Sequence, residues 1–179
     1  MKREVTRMKK YELTGEIKKK NGKILYRIKS LKSFLNVVEG ELGGWVESYK
    51  NLAQNGNAWV SGDAQIFGDA QVSGNAWIYD NALVYGNARV HGSAQVSGDT
   101  QVFGNAWIYG NAQVYDDAQI SGNAWIYGNA RVHGSAQVYG DAQISGNAEV
   151  YGNAQVYGNA QVYGDALVHG DAQVHGNVK

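Results

Sequence analysis

Gly56-Asn-Ala-Trp-Val-Ser61, Gly62-Asp-Ala-Gln-Ile-Phe67, Gly68-Asp-Ala-Gln-Val-Ser73 and Gly74-Asn-Ala-Trp-Ile-Tyr79 open a run of six-residue units that continues without a slip to His175. The run holds twenty units, and position one is Gly in eighteen of them, with Asp80 and Asp116 as the exceptions. Position two is always Asn, Asp or Ser, and position three is Ala everywhere except Thr100. Position five is Val or Ile throughout. Positions four and six vary among Gln, Trp, Tyr, Ser, His and a few others.

Positions three and five lie two apart, so on an extended segment they point to one side. Ala and β-branched Val or Ile there build a thin, dry interior, and the β-branched residues favour strands. Gly followed by Asn or Asp suits a corner that needs a restricted backbone. A hairpin meander would pair position six of one strand with position three of the next and mix the two faces. A solenoid keeps every Ala and Val inside. The pattern therefore predicts an all-β fold: a single-stranded parallel β-helix over 56–179, preceded by a capping segment over 1–55. Each further coil of such a solenoid adds about 4.8 Å to the rod.

The first 55 residues lack the repeat. Tyr11-Glu-Leu-Thr-Gly-Glu-Ile17 and Lys23-Ile-Leu-Tyr-Arg-Ile28 alternate as strands around the charged turn Lys18-Lys-Lys-Asn-Gly22. They read as a β-hairpin that covers the first coil, whose open edge would otherwise invite aggregation. Thirteen basic and six acidic residues lie in 1–50, against three basic and ten acidic in 51–179. This basic head on an acidic body suits solvated surface, head-to-tail contact or a polyanionic partner. Lys18–Lys20 with Lys23, Arg27 and Lys29 form only a modest basic patch, so the expectation is against nucleic acid.

Leu25-Tyr-Arg-Ile-Lys-Ser-Leu31, Gly40-Glu-Leu-Gly-Gly-Trp-Val-Glu47, Asn51-Leu-Ala53 and Gly56-Asn-Ala-Trp-Val60 carry a closer likeness. With the repeats, they resemble a bacterial and prophage family of hexapeptide-repeat proteins often labelled acyltransferases. The resemblance implies left-handed, triangular coils of 18 residues and a tendency to trimerise. It also implies a start near Met8, making Met1–Arg7 an extension. As an acyltransferase the chain would use acyl-CoA between subunits, with a histidine such as His133 as base.

Other features speak against catalysis. No residue is inserted between Gly56 and His175, so no loops leave the rod to build a pocket. His91, His133, His169 and His175 all occupy position six, interchangeable with Tyr and Ser. Asn87–Val96 recurs as 129–138, an offset of seven units that moves the copy to a different face. Cysteine is absent, and no apolar stretch matches a signal peptide or membrane span. Asp63, Asp99, Asp117 and Asp171 share a corner column, but they lack the calcium-roll signature and serve as turn formers. The expectation is a cytoplasmic protein with no cofactor, no metal and no membrane contact.

Residues eighteen apart stack, so the outer faces can be written from the numbering. Trp59 and Trp77 share one face, Trp107 and Trp125 another, and Gln65, Leu83, Gln101, Gln119, Gln137, Gln155 and Gln173 form a ladder on the third. Phe67, Tyr85 and Phe103 run beside that ladder, and Tyr109 and Tyr127 beside the second Trp pair. Such ladders stabilise in-register strands, but an apolar load of this size also marks an interface. The expected function is a self-associating, non-enzymatic scaffold or binding protein that uses these nine aromatics. A trimer or an end-to-end dimer through the C-terminal coils is expected. The acyltransferase reading remains an alternative, as does capture of a host factor or small nucleotide by the basic head.

Overall fold

A computed structural model of the chain describes residues 9–176. The proposed extension Met1–Arg7 and the last three residues lie outside them. Every regular element is a strand. Three sheets of ten, seven and six strands wrap one core, and each strand of the inner coils pairs in parallel with those eighteen residues before and after it. This is a parallel β-solenoid of about seven coils. Backbone bonds join the coils rung by rung: Trp77 N–H donates to Ala94 O at 3.0 Å and Tyr79 N–H to Val96 O at 3.0 Å.

The repeat chemistry accounts for each part of the coil. Inner coils bury their Ala and Val or Ile side chains completely, as at Ala106, Ile108, Ala112 and Val114. Gly74 turns the corner at φ 70°, and a Cβ there would lie 2.9 Å from the Gly92 backbone. Both the left-handed backbone and the close approach of the next coil demand glycine. The three departures from the consensus meet at one corner. Asp80 and Asp116 adopt φ 60° and 61°, which a short polar residue tolerates. Their carboxylates accept from Gly98 N and Gly134 N at 3.2 and 3.1 Å, and the buried Thr100 hydroxyl donates to Ser97 O at 2.6 Å.

The glutamine ladder is in register, with Gln101 beside Gln119 and Gln137 beside Gln155. Among the described residues, however, no hydrogen bond joins one of these glutamines to another. The side-chain ladder runs along the corners instead: Asn87 donates to Asn105 at 3.0 Å, Asn105 to Asn123 at 3.0 Å and Asn123 to Asp141 at 2.8 Å. A short amide fixed at a rigid corner reaches its copy one rung away more readily than a long one on a flat strand.

The head begins with the antiparallel hairpin β1 (Tyr11–Lys20) and β2 (Lys23–Ser30). Its turn is only Asn21-Gly22, at φ 50° and 74°, so the lysine run lies in β1 rather than in the loop. Asn-Gly is the residue pair that such two-residue turns favour. The hairpin extends one sheet of the rod instead of lying across its end. β2 pairs antiparallel with β3 (Leu42–Val46), and β3 pairs in parallel with Gln65–Ile66. Leu52 likewise bridges in parallel to Val72, so residues before Gly56 also supply rungs.

The Gly-Gly-Trp-Val-Glu stretch is the joint between head and rod. A Cβ on Gly43 would lie 2.5 Å from Val60 O, and one on Gly44 would lie 2.7 Å from Ala64 O. Trp45 packs with Leu25 and Phe67 beneath the ammonium of Lys18, at 4.7 Å, and the guanidinium of Arg27, at 5.1 Å. Glu47 binds Lys23 at 2.8 Å and accepts from Gly68 N at 2.7 Å, and these bonds hold its carboxyl below the usual range although partial burial opposes them. On the top edge of the first coil, the fully buried Lys10 donates to Ala58 O at 2.7 Å. Burial, with Lys32 nearby, pulls its pKa down to about 8.

Two outcomes follow. Gly43→Ala should lower stability by about 1–3 kcal/mol through overpacking against backbone, read as a lower Tm. Lys10 loses its proton near pH 8 when folded but near 10.5 when unfolded, so between these values the unfolded chain binds more protons. Stability should therefore rise with pH across that window. Lys10→Met should lack this rise in unfolding free energy between about pH 8 and 9.5, read from denaturant titrations at each pH.

Candidate functional site

The outward aromatics divide into three groups. The first serves the head. Trp59, expected on the surface, is fully buried: Phe34 and Tyr11 meet its ring edge-on at 5.6 and 6.5 Å. Its Nε1–H has no acceptor, so packing under the head outweighs that lost hydrogen bond. Phe67 is likewise covered, being 4% exposed against Leu25 and Trp45. Repeat position predicts exposure for both residues, but the non-repeating head folds over the first coils and corrects it.

The second group forms the structural ladders. Phe67, Tyr85 and Phe103 stack face to face at 5.0 and 5.1 Å. Tyr139 and Tyr157 do the same at 5.1 Å. All four histidines belong to such stacks: His91 lies on Tyr109, His133 between Tyr115 and Tyr151, His169 on Tyr151 and His175 on Tyr157. His133 Nδ1 lies 3.8 Å from Asp116 Oδ2, too long for a good hydrogen bond.

The third group is a platform on the six-stranded sheet. Trp107 and Trp125 stack at 5.6 Å with their planes 14° apart. Tyr109 and Tyr127 stack beside them at 5.1 Å, and His91 continues that column upward at 5.1 Å. The Tyr109 and Trp125 rings also meet edge-on at 6.3 Å, which ties the two columns into one surface. Arg89 lies over the Trp107 ring at 4.9 Å, a contact already implicit in their eighteen-residue spacing. Partial burial, and secondarily Arg89, lower the pKa of His91, which favours its neutral form. Trp125 is 40% exposed, so the platform still offers ring surface to a partner.

Hollows among the described residues interrupt the outer wall. A cleft of about 630 Å³ opens where the Leu35-Asn36 turn of the head overhangs Trp77, Tyr79, Asp80 and Gln95. A smaller hollow of about 290 Å³ lies between Tyr127 and Tyr163, at the level of Ser145. Sequence reasoning missed the cleft because Leu35 lies outside the repeat and meets the rod only after folding.

Among the described residues, no group of three or more His, Asp or Glu is close enough to hold a metal ion. Three carboxylates of the acidic corner column are engaged with neighbours: Asp63 with Lys18 and Trp45, Asp99 with Asn81, and Asp171 with Asn153. No helix of the described residues is long and apolar enough to cross a membrane.

Comparison with known proteins agrees with this architecture. No curated protein matches the chain. Eight matches to the sequence model of the YdcK β-solenoid repeat together span residues 64–98, 118–140 and 142–176, or 93 of 179 residues. The matched segments are the stacked coils themselves, and the chain belongs to the YdcK β-solenoid repeat family.

Proposed function

We propose that this protein is a non-enzymatic scaffold whose rods associate side by side through the platform of Trp107, Trp125, Tyr109 and Tyr127. The observation that carries this reading is the double aromatic column on a flat sheet, with Trp125 40% exposed and joined edge-on to Tyr109. Contiguous aromatic surface of this kind is what the centre of a protein interface is made of. A flat face rising by one rung per coil also matches the same face on another rod, so a closed ring of two or three rods would bury it on every member. Arg89 and His91 at the upper margin would supply polar contacts around that apolar centre.

Two features favour a scaffold over acyl transfer from acyl-CoA. The four imidazoles stack on tyrosines. The larger cleft is lined by one carboxylate and no Lys or Arg, a poor host for the phosphates of CoA. The His133–Asp116 approach at 3.8 Å is what favours the enzymatic reading, with Asp116 orienting the imidazole as a base at a subunit boundary. That reading requires acetyl-CoA to bind, and His133→Ala to abolish any acetyl transfer.

Light scattering on the native chain and on Trp107→Ser/Trp125→Ser tests the scaffold reading. The native protein should run as an oligomer and the variant as a monomer. The circular dichroism should be unchanged, and stability lower by only about 0.5–1.5 kcal/mol from the lost ring pair. A monomeric native protein, or a variant that keeps its mass, would sink the proposal.

A further inference from the structure

Nearly every outward ring of the rod has another ring stacked on it, as in Phe67–Tyr85–Phe103, Trp107–Trp125 and Tyr115–His133–Tyr151. Trp77, Tyr79 and Tyr163 stand apart: among the described residues, none carries a stacked ring, and Tyr163 borders the smaller hollow. For Tyr79 the cause lies in the sequence, because Ser61 stands one rung above it and Ser97 one rung below. For Trp77 the cause is tertiary. Trp59, its partner one rung above, packs against Phe34 and Tyr11 of the head, and Gln95 lies one rung below. Trp77 and Tyr79 both line the 630 Å³ cleft, and Ser61 lines it where a ring is missing.

The cover of this cleft departs from ordinary backbone chemistry. Phe34 and Val37 bond to each other across the two-residue turn Leu35-Asn36, with N···O distances of 3.0 and 2.9 Å. Leu35 holds φ 45°, a left-handed conformation that favours glycine at a tight turn. Its side chain is 66% exposed and gains little from the core. A strained backbone that presents an apolar side chain to solvent, over two unstacked rings, is accounted for by a ligand that completes the packing.

The rim defines the chemistry of that ligand. Asn75 and Gln95 offer amides, and Asp80 is the one charged side chain of the lining. Asp80 Oδ2 accepts from Gly98 N at 3.2 Å, leaving Oδ1 free to accept from a ligand. With no cation in the lining, a phosphate is unwelcome, whereas N–H donors are satisfied.

We propose that this cleft binds a planar aromatic ring, carbocyclic or heterocyclic, that carries hydrogen-bond donors on its edge and no phosphate. The ring stacks on Tyr79 in the place vacated at Ser61, beside Trp77 and under Leu35. The ladders set the scale of the stacking distance, since their ring centroids repeat at 4.7 to 5.6 Å.

The test titrates the full chain with adenosine, AMP and benzamidine while following the indole N–H signals by NMR, with Trp77 assigned through Trp77→Phe. Adenosine and benzamidine should shift the Trp77 signal saturably and leave Trp107 and Trp125 unmoved. AMP should bind about tenfold more weakly than adenosine, because its phosphate meets Asp80 without a counter-charge. Tyr79→Ser should weaken binding. Leu35→Gly should weaken it too while keeping or raising Tm, since glycine adopts φ 45° freely. The proposal fails if neither adenosine nor benzamidine moves Trp77 up to its solubility limit. It also fails if AMP binds as tightly as adenosine, or if Leu35→Gly binds like the native chain. The mass by light scattering should not change with probe, which separates this site from assembly through the Trp107–Trp125 platform.

Discussion

Every part of this molecule depends on the hydrogen bond from a strand of one coil to the strand eighteen residues further on. The bond from Trp77 N to Ala94 O repeats as Gln95 N to Ala112 O, Gln113 N to Ala130 O and Arg131 N to Ala148 O, at 2.9 or 3.0 Å each. Once that spacing is set, each residue has its own counterpart as a neighbour above and below. The interior then holds only small and β-branched side chains, because every coil crowds the same thin space. Corners need glycine because the next corner passes within contact of the missing Cβ, 2.9 Å in the case of Gly74 over Gly92.

The same translation writes the surface. Away from Trp59, which the head draws aside, rings eighteen residues apart stack and corner asparagines meet, so the ladders are consequences of the repeat rather than separate devices. Stabilising contacts between neighbouring coils are many and individually small, as expected of a quasi-one-dimensional fold. This also explains why histidines in the ladders are poor candidates for chemistry. An imidazole clasped between tyrosines, as His133 is between Tyr115 and Tyr151, already has a structural occupation.

Function is therefore sought where the translation fails. At the top of the rod the first coil has no coil above it, and the head supplies replacements: β3 as a rung, Lys10 as donor to a top-edge carbonyl, and Phe34 as partner to Trp59. Drawing Trp59 under the head is what leaves Trp77 without a ring above it. The cleft under Leu35 is thus a by-product of capping that the serines at 61 and 97 enlarge by leaving Tyr79 bare. On the six-stranded sheet the interruption is of another kind: two adjacent tryptophans among rungs that otherwise carry Gln or Arg make one stretch of a polar face apolar.

Resemblance to a known family implied that three hexapeptides close a coil, which sets the register of the ladders; by itself the sequence determined the repeating strand and corner, the identity of the buried column and the corner chemistry. Those follow from local strand geometry and an unbroken period, which act alike at every unit. Only the tertiary structure decided the fate of the first coils. It buried Trp59 and Phe67 and made Gly43-Gly44-Trp45-Val46 a rung. It also set Lys10 over Ala58 and brought Leu35 above Trp77. The physical reason is that the head has no period of its own. Its contacts join residues far apart in sequence through shape and burial, and no repeating spacing records which of them will meet.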